Sequence, residues 1–356
     1  MGLLTFLLYT LLILMILGFY FFRSSKEFPK TWYEWKTEFR FQYMGILGLI
    51  QDISLNKKNN VAILQQTDRI AIVTGGNRGI GLRIIEKLLE CEMTVIMACR
   101  DPEGGRKNIL EAVDFSTIRG KLICEKLDVA SLSSVKEFAK KIQDNYEKID
   151  LLINNAGIMC APYKLTEDGY ESHFAVNFLG HFLLTHLLLP KLKAAGKKGL
   201  NARIVNVSSI VNMVGKINYD DINLTKKYYP PTAYNQSKLA QVLTTKYINH
   251  LMEKEEAPVQ VHAVHPGLVD TDLFKYTSTT SVPTFKKLLF KTPEEGSRTV
   301  VYAAIGRKLE GKGGTYLTNC VHARCHPDAK KPEKCEKFFK FSCDLLGIKE
   351  FGNGVV

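Results

Sequence analysis

The chain has 356 residues, 46% of them hydrophobic and 24% charged, which is enough for one large core or two modest ones and is ordinary for a globular protein. Its formal net charge of +12 suits an anionic membrane surface or an anionic cofactor. The basic residues are spread along the chain and form no zinc-finger, RNA-recognition or basic-zipper pattern, so nucleic acid is excluded as the partner.

Residues 2–22 carry no charge. As a helix at ~1.5 Å per residue they would span about 31 Å, the thickness of a hydrocarbon core. A cleaved signal peptide is the competing reading, but it would show a basic start and a small-residue cleavage site, and this run ends in Tyr20-Phe21-Phe22. An uncleaved single-pass transmembrane anchor is therefore expected. Arg23, Lys26, Lys30, Lys36 and Arg40 follow the run, which places the body of the protein in the cytosol. The endoplasmic reticulum is the expected membrane, with a lipid droplet as the alternative. In that setting the glycosylation-like triplet Asn223-Leu224-Thr225 stays silent.

Residues 23–66 read as a membrane-proximal linker with an aromatic, amphipathic segment. Both tryptophans of the chain, Trp32 and Trp35, lie here with Phe39, Phe41 and Tyr43, followed by an apolar stretch at 44–50. Two readings stand side by side: an interfacial aromatic belt, and a helix packed on the domain.

From Thr67 onward, apolar β-rich runs alternate with helical patterns. Arg69–Thr74, Thr94–Cys99, Leu122–Leu127, Leu151–Asn154, Arg203–Val207, Val259–Val264 and a seventh run around Tyr316-Leu317 read as strands. The segment between the third and fourth has helical spacing at Leu132, Val135, Phe138, Ala139 and Ile142. This alternation predicts an α/β doubly wound parallel sheet of about seven strands, a Rossmann domain over 67–320, with a C-terminal helical tail over 321–356. Ligands of such a sheet bind beyond the C-terminal ends of its strands. Gly75, Gly79 and Gly81 occupy that position after the first strand, where they let the backbone turn tightly and approach a pyrophosphate at a helix N-terminus.

Tyr234 and Lys238 are four residues apart, so on a helix they share a face. A tyrosine working near neutral pH needs its pKa of ~10 lowered by about three units, which an adjacent ammonium and a nicotinamide cation could supply.

Taken together these residues resemble the short-chain dehydrogenase/reductase family over roughly 67–319, and several segments look like its retinol-dehydrogenase branch, among them Asn177-Phe-Leu-Gly-His-Phe-Leu-Leu-Thr185 and Leu289-Phe-Lys-Thr-Pro-Glu-Glu-Gly296. The resemblance implies a catalytic set of Asn177, Ser209, Tyr234 and Lys238. It also implies cofactor contacts from Gly75, Asn77, Arg78, Gly79, Ile80 and Gly81, from Arg100, from Asp128 and Val129, from Asn155, Ala156 and Gly157, from Tyr234 and Lys238, and from Pro266, Gly267, Val269 and Thr271. Tyr234 would exchange a proton with the substrate oxygen. Lys238 would lower the tyrosine pKa and hold the nicotinamide ribose. Ser209 would orient the substrate, and Asn177 would hold a relay water.

An acid at the end of the second strand would read a ribose 2′-hydroxyl; Arg100 stands there, with Asp101 next and Arg78 in the turn. NADP(H) is therefore the expected cofactor, with NAD(H) the alternative. A lid over about 272–292 carries Leu273, Phe274, Tyr276, Val282, Phe285, Leu288, Leu289 and Phe290 beside Lys286 and Lys287, which suits a lipophilic alcohol or carbonyl delivered from a bilayer. A retinoid or polyprenoid alcohol is expected; a steroid or fatty carbonyl, or a non-catalytic nucleotide-binding adaptor, are the alternatives. A homodimer is a further expectation, implied by relatives. His181, His186, His262 and His265 fit no ligand set and read as structural. Cys320, Cys325, Cys335 and Cys343, with His322 and His326 between them, could be free thiols, a disulfide or a zinc site, and free thiols are favoured because the spacings match no familiar ligand pattern.

Overall fold

The computed structural model describes residues 23–25, 28–62, 65–116, 118–278 and 287–355. The expected anchor at 2–22 and the middle of the expected lid, 279–286, lie outside the described residues.

Seven parallel strands form the sheet: β1 (Ile70–Thr74), β2 (Thr94–Cys99), β3 (Lys121–Lys126), β4 (Leu151–Asn154), β5 (Ala202–Val207), β6 (Val259–His265) and β7 (Thr315–Thr318). Their order is β3-β2-β1-β4-β5-β6-β7, and β8 (Val321–His322) closes the far edge antiparallel. The sheet thus has eight strands rather than about seven. The additional one arises because Asn319 and Cys320 both take positive φ, 48° and 59°, and turn the chain back in a two-residue hairpin.

Strands β1, β4, β5 and β6 are buried almost throughout, as their mainly apolar sequences suit when helices cover both faces. Helices α2 (Gly79–Glu90) and α3 (Pro102–Ala112) follow β1 and β2, and α4 (Leu132–Asn145) follows β3. One core cluster joins Ile84, Ile85, Leu88 and Leu89 of α2 to Val73, Val95 and Met97 of the sheet. On the other face, α4, α5 (Ser172–Ala195) and α6 (Pro230–Lys254) pack with Ile72, Ile96, Leu152 and Ile204. Each fully buried Leu or Ile in these layers contributes about 1.5–3 kcal/mol. Helix α5 is long and apolar enough to cross a membrane, but it is mostly buried and forms part of this core.

Chain direction reverses at the β1/β4 boundary, since the path leaves β1 toward β2 and leaves β4 toward β5. That reversal opens a crevice beyond the strand ends, where a doubly wound sheet receives its ligand.

Two segments outside this sandwich shape the site. The segment before the sheet holds a 23-residue helix, α1 (Trp32–Ser54), started by a capping box between Thr31 and Glu34. It packs on the domain through the turn Ile210–Val214 and the N-terminal part of α6. After α7 (Pro293–Ile305), the tail forms α8 (Pro332–Leu346), which lays Phe338 and Phe339 against α6 and against Phe178 and Phe182 of α5. Cys320, Cys325, Cys335 and Cys343 are buried and unpaired with one another; burial raises the thiols of Cys320 and Cys335 to about 11 and that of Cys343 to about 12, so they serve as small apolar groups.

Candidate active site

Helix α6 begins with Pro230 and Pro231, whose fixed φ and missing N–H suit its first turn. One turn further in, it presents Tyr234 and Lys238 on the same face. Both are buried, and the Lys238 Nζ lies 5.6 Å from the centre of the Tyr234 ring. The two serines ending β5 divide their work. Ser208 donates to the Lys238 carbonyl (2.8 Å) and fastens helix to strand. Ser209 turns the other way, toward the Tyr234 hydroxyl, where it favours the phenolate. The structure therefore brings Ser209, Tyr234 and Lys238 together.

Asn177 sits in a π-helical turn, Ala175–Leu179, inside α5. Such turns cost regular hydrogen bonding and recur at functional positions. The Asn177 Oδ1 accepts from the Ile158 N–H (2.8 Å), while Nδ2 donates to the Ile158 carbonyl (3.0 Å) and to Ser237 Oγ (2.9 Å). Asn177 thus adjoins the Tyr–Lys helix, with its amide committed to protein partners and one Oδ1 lone pair left over.

Electrostatics here differ from the sequence expectation. Burial raises the Tyr234 hydroxyl above its usual pKa of 10, with the neighbouring Ser209 opposing it in part. Lys238 falls to about 7, because burial disfavours its ammonium. Two of its three donors are used, on the Val207 carbonyl (2.8 Å) and Gln241 Oε1 (3.2 Å). Inside so dry a site the protein alone holds tyrosine protonated; acidification needs a further positive charge.

The crevice residues fit a dinucleotide. Gly75 has φ +64°, and a Cβ there would stand 2.9 Å from the Ala156 Cα, so only glycine allows β1 and the segment after β4 to approach so closely. A Cβ on Gly81 would stand 2.3 Å from the Gly75 carbonyl, which is why the turn can fold onto the first residues of α2. Asn77, Arg78, Gly79 and Ile80 lie between, at a helix N-terminus that suits phosphate. Asn155 Nδ2 donates to the Thr74 and Gly75 carbonyls (2.9 and 3.2 Å), and Thr74 Oγ1 accepts from the Asn155 and Ala156 N–H groups (2.9 and 3.0 Å). Gly157 follows, where a Cβ would meet Asn177 Oδ1 at 3.2 Å. On the other flank, Asp128 folds its loop by accepting from the Ala130 N–H (2.9 Å), with Val129 buried beside it. Pro266, Gly267, Val269 and Thr271 form the segment after β6, and Thr271 faces Gly79 across the crevice.

Arg100 is exposed at the end of β2. Asp101 caps α3, its Oδ1 accepting from the Gly104 N–H at 3.0 Å, and so is committed to the helix. Arg78 is held by Asp272 (3.1 Å) in a pair with both side chains more than half exposed, a contact weak enough in water for the guanidinium to leave.

Two positioning features escaped the sequence reading. His181 Nε2 lies 2.8 Å from Thr74 Oγ1, whose hydroxyl has this short contact and a longer one to the Ile153 carbonyl (3.4 Å) for its proton, while His181 Nδ1 faces a carbonyl that can only accept. That sets the Nδ1–H tautomer, aimed at the Asn177 carbonyl at 3.4 Å. Burial lowers His181 to about 4, keeping it neutral, and it links the glycine turn to the π-turn. The second feature is Asp52, from α1. It accepts from the Leu268 N–H (2.9 Å), from Lys291 Nζ (2.7 Å) and from Asn319 Nδ2 (3.1 Å), and is 6% exposed. Lys291 in turn reaches Asn319 Oδ1 (2.7 Å) and the Pro266 carbonyl (3.4 Å). The α1 helix therefore clamps the segment expected at the nicotinamide. Its partners lie more than two hundred residues away, so no local pattern marks Asp52.

The chain matches the short chain dehydrogenase family over residues 69–281 and belongs to it. It is therefore an oxidoreductase acting on CH–OH groups with NAD(P), in the family's manner. It is 39% identical over 284 residues to polyprenol dehydrogenase from Homo sapiens, covering 79% of this chain and 86% of that protein. It is 40% identical over 292 residues to retinol dehydrogenase 13 from Homo sapiens, covering 79% and 85%. Among solved structures, it resembles an uncharacterized protein from Mycobacterium paratuberculosis, with a TM-score of 0.65, 32% identity, and coverage of 80% of this chain and 96% of that one.

Proposed function

We propose that this protein is a membrane-anchored, NADP(H)-dependent oxidoreductase that interconverts a lipophilic alcohol of the retinoid or polyprenoid type and its aldehyde or ketone. The observation that carries this reading is the apolar wall packed around Tyr234. Met44 of α1, Met159, Cys160 and Val211 cluster with Tyr234, flanked by Phe41, Met213, Leu273 and Phe274. A polar substrate would leave its own groups unpaired there, whereas an apolar tail keeps its burial energy. The polyprenol- and retinol-acting relatives support the same class.

In the reducing direction Tyr234, held protonated by burial, donates its proton to the carbonyl oxygen, and Ser209 orients that oxygen. Lys238 would hold the cofactor ribose with its remaining donor, and Asn177 would hold the water of the proton relay. A bound oxidised nicotinamide supplies a hydride acceptor and one positive charge, which favours the phenolate that alcohol oxidation requires. Arg78 and Arg100 would hold a 2′-phosphate, a reading supported by the commitment of Asp101 to its helix cap. The uncharged run at 2–22 would anchor the chain with its catalytic domain in the cytosol, at the endoplasmic reticulum or a lipid droplet.

Incubating detergent-solubilised protein with NADP⁺ and a lipid extract, then finding oxidised products by mass spectrometry, tests the substrate class. Products drawn from long-chain or retinoid alcohols are expected. Turnover confined to small polar alcohols would refute the proposal.

A further inference from the structure

Helix α1 has two faces with opposite tasks. The inner face carries Glu38, Phe41, Met44, Gly48 and Asp52. Glu38 is fully buried and accepts from the Ser24 N–H (2.8 Å) and from the hydroxyl of Tyr229 (2.7 Å), at the start of the helix bearing Tyr234. Phe41 meets the Tyr234 ring edge-on at 6.4 Å, and Gly48 lies against Ile210 and His265. This face is a wall of the active site.

The outer face is apolar and open. Trp32, Tyr43, Ile46, Ile50 and Ile53 are between 56% and 80% exposed, and the last four recur three or four residues apart along one stripe. Such a stripe is unfavourable in water and marks a docking surface.

Charge identifies what covers it. Lys36 and Arg40 are exposed beside the stripe, and Lys57 and Lys58 are exposed just past its end. The acids of the helix point elsewhere: Glu38 and Asp52 are buried inward, and Glu34 is engaged in the capping box. A second copy laid on this stripe would bring cations to cations. An anionic lipid surface meets them with opposite charge. The uncharged run ends at Phe22, ten residues before Trp32, and ten residues of chain reach at most about 35 Å. We propose that helix α1 lies in the interface of an anionic bilayer on this outer stripe, which holds the Tyr234 site behind its inner face next to the lipid, so that the alcohol arrives from the lipid side. The access route rests on the lipophilic-substrate reading; the docking does not.

The test places a single tryptophan at the far end of the helix, about 31 Å from Trp32 and beyond what the anchor alone would hold at the surface. Full-length protein carrying Trp32→Phe, Trp35→Phe and Ile53→Trp is reconstituted in phosphatidylcholine–phosphatidylserine vesicles with brominated acyl chains. A matched control carries Leu110→Trp on α3, which is 52% exposed in the wild type. The account expects fluorescence at position 53 to fall by about twofold or more and position 110 to be unaffected. Equal quenching at the two positions, or none, overturns it. So does shielding of position 53 in detergent with the mass of two chains, which would assign the stripe to a second copy. The variant Tyr43→Ser/Ile46→Ser/Ile50→Ser should raise KM for a vesicle-borne alcohol about tenfold and leave turnover of a water-soluble carbonyl unchanged. Unchanged KM overturns the access route. Quenching without oxidation of any lipid alcohol overturns the substrate reading and the access route together, while the docking stands.

Discussion

Replacing Asp52 by alanine tests whether helix α1 belongs to the catalytic machinery. The carboxylate is 6% exposed and joins Lys291, the Leu268 N–H and Asn319. Its loss strands an ammonium that is equally buried, and breaking a buried pair from one side costs about 3–5 kcal/mol. At roughly 2 °C per kcal/mol for a domain of this size, the melting temperature should fall by about 6–10 °C. A second consequence is local. Leu268 loses its anchor, so cofactor binding must order the segment from Pro266 to Thr271. If about 1.4 kcal/mol of that ordering is charged to the cofactor, its Kd weakens about tenfold. The pair Asp52→Leu/Lys291→Met separates the two effects, because replacing both charges by apolar groups of similar volume leaves stability near wild type. Calorimetry and NADPH fluorescence titration read them out. Stability should return in the double variant while cofactor affinity stays low. A single variant that melts and binds like wild type would show that Asp52 clamps nothing that matters.

Two further predictions concern the site itself. Arg100→Ala should lower NADPH turnover relative to NADH by about tenfold, one charge-assisted contact to a 2′-phosphate; steady-state kinetics with both cofactors checks this, and an unchanged ratio excludes Arg100 from phosphate binding. Lys238 should leave a signature in the pH dependence of the cofactor-free protein. Burial lowers it from 10.5 to about 7, so between those values the unfolded chain holds a proton that the folded chain lacks, and stability rises with pH across that window by up to ~5 kcal/mol. Tyr234 is shifted upward and titrates above the window. Lys238→Met should therefore be the more stable protein at pH 7, with the gap closing toward pH 10 in denaturant titrations. A gap that does not change with pH contradicts the buried-ammonium account.

Much of this fold was legible in the sequence because strands of a helix-covered parallel sheet are mostly apolar and rich in β-branched residues. The runs from Arg69, Leu122 and Arg203 each lie within one residue of the strands observed. Tyr234 and Lys238 were legible for a related reason, since helical spacing alone puts them on one face. Asp52 and Glu38 were not, and of His181, read as structural, only the partner Thr74 was hidden. Each acts through partners distant in sequence, and an acid on a mixed polar helix reads as solvated until the fold buries it. The direction of the Tyr234 shift was missed because burial acts on a group before any neighbour does, and no spacing rule reports how dry a site will be. The hairpin that adds β8 turns on two non-glycine residues with positive φ, so the usual glycine signal was missing.

The central claim is that the Tyr234 hydroxyl passes the proton while hydride moves between a lipophilic alcohol and NADP(H). The most direct measurement is NADPH formation from NADP⁺ and a vesicle-borne polyprenoid or retinoid alcohol by wild type and by Tyr234→Phe, alongside cofactor titration of both. Wild type should turn over, and the phenylalanine variant should bind NADP⁺ within about twofold of wild type yet lose roughly a hundredfold or more in rate. A variant that oxidises the alcohol at the wild-type rate would contradict the account.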